Sequence, residues 1–219
     1  MSAPSVTWGP AVLADAHGRL VAHLEAMSGT PEASPGAATA LPGWTRGHLL
    51  THLARNAEGL LRILDGAERG ESVEQYPGGA DGRAAGIDAG ADRPWDVLVD
   101  DVRDTAAALD AKIAGQQRWD GGGVNSGGAP LPTADVPFLR CREVLIHHVD
   151  LSVDGYGPDD WPAEYVREEL RRLEMAWNAR KPMGATGLPP AALSLPPVTR
   201  LLWLLGRTAI DGLPPAGVF

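Results

Sequence analysis

Two segments of this chain place potential metal-ligand side chains four residues apart within a helical pattern of apolar residues. His48 and His52 lie in "GWTRGHLLTHLARNA", and Glu143 and His147 lie in "LRCREVLIHHVDL". Positions i and i+4 of an α-helix share one face and lie about one turn apart. Two such helices packed side by side can bind a divalent cation through imidazole and carboxylate groups. An open coordination position would remain, which is typical of a catalytic rather than a structural site.

The spacing of apolar residues predicts a mainly α-helical fold. Apolar residues recur every three or four positions in four predicted helices, which span 13–27, 45–64, 94–114 and 137–154. Thr45 is the expected N-cap of the second helix, and Gly66 lies beyond its expected end. The connections 70–93 and 119–135 are rich in glycine and show no period, so we expect long loops there. Four helices joined in this way predict a bundle.

The pattern changes after residue 155. The segment "PAEYVREELRRLEMAWNA" predicts a fifth, strongly amphipathic helix, and a short apolar helix is expected around 198–207. A Pro/Gly-rich stretch, 182–197, separates them, and no alternating pattern predicts a strand. We therefore expect a metal-binding four-helix bundle over 1–155 and a small C-terminal subdomain or lid over 156–219.

Composition excludes several classes of function. The net charge is −9 and lysine occurs only at 112 and 181, so no basic cluster predicts nucleic-acid or anionic-membrane binding. The longest apolar runs are far shorter than the roughly 20 residues that span a bilayer. We expect no signal peptide, and the single cysteine, Cys141, rules out an internal disulfide and fits a reducing cytoplasm. Both a monomer and a homodimer remain open.

The fourth predicted helix gathers its ionisable residues in one sector. At 100° per residue, Arg140, Glu143, His147 and Asp150 share a face that apolar residues flank, whereas Cys141 points away. Ionisable groups inside a bundle are costly unless they are paired or bound to a metal. The alternative to a metal site is a structural ion pair between Arg140 and Glu143.

On the second predicted helix, His48, His52 and Asn56 form one line beside the leucine stripe. His52 lies in the middle of this helix and is therefore the better placed ligand. His48 lies in the first turn, nearer the end of the bundle. The alternative here is that both histidines are ordinary polar residues at a helix edge.

These segments resemble the mycothiol-dependent maleylpyruvate isomerase family, within the wider group of DinB-like four-helix metalloproteins. The resemblance rests on the two motifs above, on their spacing and on the C-terminal "LLGRTAIDG". It implies a DinB-like bundle in which His52, Glu143 and His147 bind zinc or another divalent metal. It also implies that His48 is not a ligand, and that Arg207 matches the family's functional C-terminal arginine.

The resemblance further implies a reaction. Mycothiol would bind as a thiol cofactor, and its thiolate would add reversibly to the cis double bond of maleylpyruvate. Rotation about the new single bond and loss of the thiol would give fumarylpyruvate. Arg207 would hold a substrate carboxylate, and Asn56 and Arg140 are the expected cofactor-binding residues. The alternatives are a thiol S-transferase that conjugates mycothiol to a small electrophile, and a metal-bearing protein without enzymatic activity.

Overall fold

The structure is a computed structural model that describes residues 10–180 and 187–216. The chain divides into two compact units, Met1–Asp154 and Gly155–Phe219. The first unit contains α1 (Pro10–Met27), α2 (Arg46–Arg69), α3 (Gly79–Gly90), α4 (Trp95–Gly115), β1 (Gly122–Val124), β2 (Pro130–Pro132) and α5 (Val136–Asp150). The second unit contains α6 (Ala163–Ala179), α7 (Pro190–Leu193) and α8 (Pro197–Leu204). The predicted mainly α-helical fold is confirmed.

Four helices of the first unit form the predicted bundle. They pack as a ring in the order α1, α4, α2, α5, so that each helix contacts two others of the four. The interior is filled by leucine and valine side chains with no exposed surface, such as Leu20, Leu24, Leu53, Leu98 and Val144. Burial of this apolar surface drives the helices together, because each carries one apolar stripe that water solvates poorly. The ring places α2 and α5 side by side.

Helix α2 begins where the sequence predicted and ends later. Thr45 is confirmed as its N-cap, since the hydroxyl accepts from the His48 N–H and the Thr45 N–H donates to His48 Nδ1 at 3.3 Å. The expected end near Gly66 is wrong, because the helix continues to Gly70, which caps it in the left-handed conformation. Gly66 is needed for packing instead: a Cβ there would lie 2.9 Å from the Val73 side chain.

The predicted loop over 70–93 is wrong in its second half, where α3 forms. Only Ile87 and Gly90 of this helix are buried, so its sequence carries too few apolar residues to show a helical period. Close backbone contacts set its position against α2. A Cβ at Gly90 would lie 2.5 Å from the Thr51 side chain, and a Cβ at Gly47 would lie 1.9 Å from the Ala91 carbonyl oxygen.

The predicted loop over 119–135 contains a small antiparallel hairpin. Strands β1 and β2 pair Gly123 with Leu131, and a short 3-10 turn at Thr133–Asp135 leads into α5. Each strand has three residues, which is too short for an alternating pattern to be visible in the sequence.

The second unit is held by α6 and α8. Their rings of Trp177 and Trp203 lie 5.4 Å apart, and Arg200 pairs with Glu174 at 3.3 Å. The stretch expected as a Pro/Gly-rich link contains α7, while residues 181–186 lie outside the described part of the chain. Within the described residues, no helix has the length and apolar character needed to cross a lipid bilayer.

We predict that Gly47→Ala destabilises the first unit, because the new Cβ would force the Ala91 backbone away from α2. The expected loss is about 1–3 kcal/mol of unfolding free energy, measured by urea unfolding. Gly18→Ala in α1 is the matched control, because nothing lies within 4 Å of a Cβ at that position. The control should gain about 0.5–1 kcal/mol from helix propensity. Equal effects of the two substitutions would contradict the packing role of Gly47.

Candidate metal centre

His52 of α2 and Glu143 and His147 of α5 meet at the interface of these two helices. His52 Nε2 lies 2.8 Å from Glu143 Oε2, and His147 Nε2 lies 3.4 Å from the same oxygen. One potential ligand atom from each side chain lies within 4.8 Å of the other two. The three residues are called the triad below. The i,i+4 spacing on α5 aligns Glu143 with His147, and the packing of α2 brings His52 to them.

The triad has the donor set and spacing of a divalent metal site. Two imidazoles and one carboxylate are a common ligand set of catalytic zinc, with metal–ligand distances of roughly 2.0–2.2 Å. Ligand atoms at that distance from one ion lie roughly 3–4 Å apart in tetrahedral geometry, close to the spacing seen here. His52 is 3% exposed and Glu143 24% exposed, so the triad is open to solvent at the carboxylate. The arrangement can hold a cation and leave a position for another ligand.

Asp150 orients His147. Its carboxylate is 1% exposed and lies 2.9 Å from His147 Nδ1, one turn further along α5. This contact turns Nε2 of the ring toward Glu143 and Nδ1–H toward the carboxylate. Metal-binding histidines usually donate their second N–H to a carboxylate or carbonyl in this way.

The second nitrogen of His52 has a different partner. Arg83 of α3 places Nη2 3.2 Å from His52 Nδ1. The Arg83 guanidinium also lies over the rings of Trp44, at 5.7 Å, and Tyr76, at 6.0 Å. Trp44 in turn packs edge-on against His52 with 5.4 Å between ring centres. Arg83 and Tyr76 were not predicted as site residues, because both lie in the stretch 70–93, whose sequence predicted a loop.

The protonation of the triad follows from burial and from the contacts within it. Burial lowers the pKa of His52 to about 4, against the opposing hydrogen bond with Glu143. Burial alone would raise the pKa of Glu143, but hydrogen bonds from His147 and His52 outweigh it and hold that pKa well below its ordinary value. Burial would lower the pKa of His147, but hydrogen bonds to Asp150 and Glu143 outweigh it and raise that pKa. Near neutral pH Glu143 is therefore ionised and His52 is a neutral imidazole, both of which are forms that bind metals.

Arg140 lies in the interior of the bundle and connects three helices. Its side chain is fully buried, with Nη1 donating to Asn56 Oδ1 at 2.9 Å and to the Leu53 carbonyl at 2.8 Å. Nε donates to His17 Nε2 at 2.9 Å, and His17 Nδ1 lies 2.9 Å from Asp110. Burial lowers the pKa of Arg140 to about 10, so the guanidinium stays charged. Within the described residues, Arg140 forms no ion pair with Glu143. Asn56 and Arg140, the two residues expected to bind the cofactor, contact each other.

Two other residues that the sequence analysis considered lie outside the triad. His48 takes part in the N-cap of α2, and its Nε2 lies 3.9 Å from Asp88 of α3. Cys141 is 1% exposed in the core of the bundle.

Arg207 belongs to the second unit and follows the end of α8. Gly206 adopts a φ of 70°, which ends the helix, and the Arg207 N–H donates to the Leu202 carbonyl at 2.8 Å. Its Nη1 donates to the Leu205 carbonyl at 3.0 Å. Arg207 also lines a cavity of about 400 Å³ together with Trp203, Leu204, Gly206, Thr208, Ala209, Ile210, Leu213, Pro215 and Ala216.

The chain is similar to proteins of known family. The family model described as the mycothiol maleylpyruvate isomerase N-terminal domain matches residues 13–152. The structure resembles the crystal structure of a mycothiol-dependent maleylpyruvate isomerase, with a TM-score of 0.78 and 21% sequence identity over 91% of this chain and 88% of that one. A histidine-to-alanine mutant of that enzyme matches with a TM-score of 0.77 over the same shares, also at 21% identity. No curated protein sequence matches significantly. The predicted DinB-like helical fold and the family resemblance are confirmed.

Proposed function

We propose a function for this chain from the family to which it belongs, that of the mycothiol maleylpyruvate isomerase N-terminal domain. The chain is proposed to be a cytoplasmic, mycothiol-dependent cis–trans isomerase that converts maleylpyruvate to fumarylpyruvate. The observation that carries the proposal is the triad of His52, Glu143 and His147, two imidazoles and a carboxylate on neighbouring helices. A metal-bound or metal-adjacent thiolate suits this reaction, because the thiol adds and leaves again without any redox change.

The triad is the proposed zinc site, and Asp150 holds His147 in place for it. A bound divalent cation would lower the pKa of a thiol and so supply the thiolate, which is the nucleophile. Glu143, whose pKa is held low, is ionised and can bind such a cation, and His52 is neutral. The raised pKa of His147 means that protons compete with the cation for this imidazole. The exposed part of Glu143 marks the side on which small molecules would approach.

The thiol is proposed to come from a cofactor. Cys141, the single cysteine, is buried in the bundle core and is not among the triad residues. Asn56 and Arg140 keep their predicted cofactor-binding role as a proposal. Supporting it, Arg140 Nη2 is buried and has no hydrogen-bond partner among the described residues, so one donor of this guanidinium is not used within them.

Arg207 is the proposed carboxylate-binding residue, by its match to the family's C-terminal arginine. Its guanidinium suits this role because the planar fork binds a carboxylate through two parallel hydrogen bonds. The cavity that it lines in the second unit offers space for part of a small ligand.

We predict that the protein binds about one zinc ion per chain and that His52→Ala abolishes this binding, since three protein ligands are needed to hold the ion. Metal content is measured by elemental analysis after zinc loading and desalting. His48→Ala is the matched control and should retain its zinc, because His48 caps α2 and lies outside the triad. Zinc content unaffected by His52→Ala would remove His52 from the site.

We predict that the zinc-loaded protein isomerises maleylpyruvate only when mycothiol is added, and that the thiol is not consumed. Product formation and free thiol are followed together. Stoichiometric loss of the thiol onto an electrophile would instead identify an S-transferase.

Cys141→Ala should keep its turnover and lose only about 1 kcal/mol of stability. Loss of turnover in a folded Cys141→Ala protein would place the nucleophile within the chain.

We predict that Arg207→Ala lowers kcat/KM at least roughly a hundredfold, about 2.7 kcal/mol, with folding and zinc content unchanged. Arg207→Lys should recover part of the activity, because an ammonium group lacks the bidentate fork. Arg180→Ala, at the exposed end of α6, is the control and should have no effect. Near-normal turnover in Arg207→Ala would show that Arg207 does not bind the substrate and that its role is confined to its contacts at the C-terminal end of α8.

A further inference from the structure

Arg83 carries a positive charge beside the triad, and no carboxylate of the described residues lies within ion-pair distance of it. Its side chain is partly exposed, and within the described residues its guanidinium forms no ion pair. Its contacts are the rings of Trp44 and Tyr76, a hydrogen bond with the Tyr76 side chain, and the Nδ1 atom of His52. One imidazole ring separates the guanidinium from the proposed metal position.

Two other arginines of the same unit lie within ion-pair distance of a carboxylate. Arg55 and Arg93 both pair with Asp101, at 2.6 and 2.7 Å. Arg83 differs because its guanidinium lies over aromatic rings and has no carboxylate partner among the described residues. Arginine packed on aromatic rings retains its full charge and its planar fork, so it can bind an anion without losing this support.

The contact between Arg83 and His52 is compatible with only one tautomer of the imidazole ring. A guanidinium has donors and no acceptor, so His52 Nδ1 must accept and the proton of the neutral ring must lie on Nε2. That proton is then donated to Glu143, whose Oε2 lies 2.8 Å away. A neutral ring that binds a cation through Nε2 carries its proton on Nδ1 instead. The hydrogen bond from Arg83 and metal coordination through Nε2 therefore exclude each other.

The two histidines of the triad differ in this respect. His147 Nδ1 faces the carboxylate of Asp150, which accepts an N–H and so favours the tautomer that binds a metal through Nε2. His52 Nδ1 faces a donor, which favours the other tautomer. Asp150 thus supports metal binding at the triad, and Arg83 opposes it.

We propose that Arg83 is an anion-binding residue that becomes available when a divalent cation binds the triad. When His52 binds the cation through Nε2, its ring would carry the proton on Nδ1, and the Arg83 guanidinium would lose this acceptor. The guanidinium then binds a carboxylate of the small molecule that occupies the site. The added positive charge of the cation makes an anion more favourable there. This inference rests on the proposed metal site but not on the proposed reaction.

The first test measures the zinc affinity of the intact protein by competition with a chromophoric chelator. Arg83→Met removes the donor and the charge while keeping an apolar stem for Trp44 and Tyr76, and it should bind zinc roughly tenfold more tightly. Arg103→Met is the control, because Arg103 lies on α4 and pairs with Glu25; it should bind zinc as the wild type does. Equal zinc affinity of wild type and Arg83→Met would overturn the competition between Arg83 and the metal.

The second test measures the binding of maleate, a small dicarboxylate, to the zinc-loaded proteins by titration calorimetry without any thiol. Maleate should bind Arg83→Met at least roughly tenfold more weakly than wild type, because a charge-assisted hydrogen bond is lost. Arg83→Lys should bind with intermediate affinity, and Arg103→Met should bind normally. Equal maleate affinity of wild type and Arg83→Met would overturn the anion-binding role.

These outcomes separate this inference from the proposed function. Arg83-dependent maleate binding in a protein that turns over no maleylpyruvate would support the inference and contradict the isomerase function. Thiol-dependent turnover that is unchanged by Arg83→Met, together with unchanged zinc and maleate affinities, would support the function and overturn the inference.

Discussion

The contact between His52 of α2 and Glu143 of α5 is the interaction on which the site depends. The apolar packing of the bundle brings the two helices together. At their interface His52 Nε2 lies 2.8 Å from Glu143 Oε2. A carboxylate that is partly removed from water is costly unless hydrogen bonds or a cation compensate it, and here two imidazoles do so. Two imidazoles and a carboxylate are also a common ligand set of catalytic zinc, so the side chains that contact each other across this interface are those of the proposed metal site.

The surroundings of the triad depend on small residues as much as on polar ones. Gly47 and Gly90 lack side chains where α2 and the end of α3 approach, and a Cβ at either position would overlap its neighbour. Their absence of side chains lets α3 lie close to α2, which brings Arg83 to His52. The two glycines therefore allow α3 to lie in this position, and α3 in turn places the charged side chain of Arg83 beside the triad.

The sequence predicted the bundle because the bundle follows from periodicity. Helical spacing predicted α1, α2, α4 and α5. The i,i+4 motifs gave four candidate ligands, and the family resemblance implied the three that the structure brings together, although metal binding itself remains a prediction. Helix α3 was missed because its Gly- and Ala-rich sequence buries little apolar surface, and Arg83 and Tyr76 were missed with it. The helical wheel grouped Arg140 with Glu143 correctly by sector. It could not show that the partners of Arg140 are His17 and Asn56, since these contacts depend on how α1 and α2 pack against α5.

The most direct test of the central claim is an X-ray absorption spectrum of the zinc-loaded protein at the zinc K-edge. The spectrum should show two imidazole ligands with zinc–nitrogen distances of roughly 2.0–2.1 Å and oxygen ligands for the remaining positions, of which one is Glu143. Addition of a thiol should then introduce one sulfur at roughly 2.3 Å, because the triad leaves a coordination position open. A spectrum without imidazole scattering, or one that shows sulfur before any thiol is added, would contradict a zinc site formed by His52, Glu143 and His147.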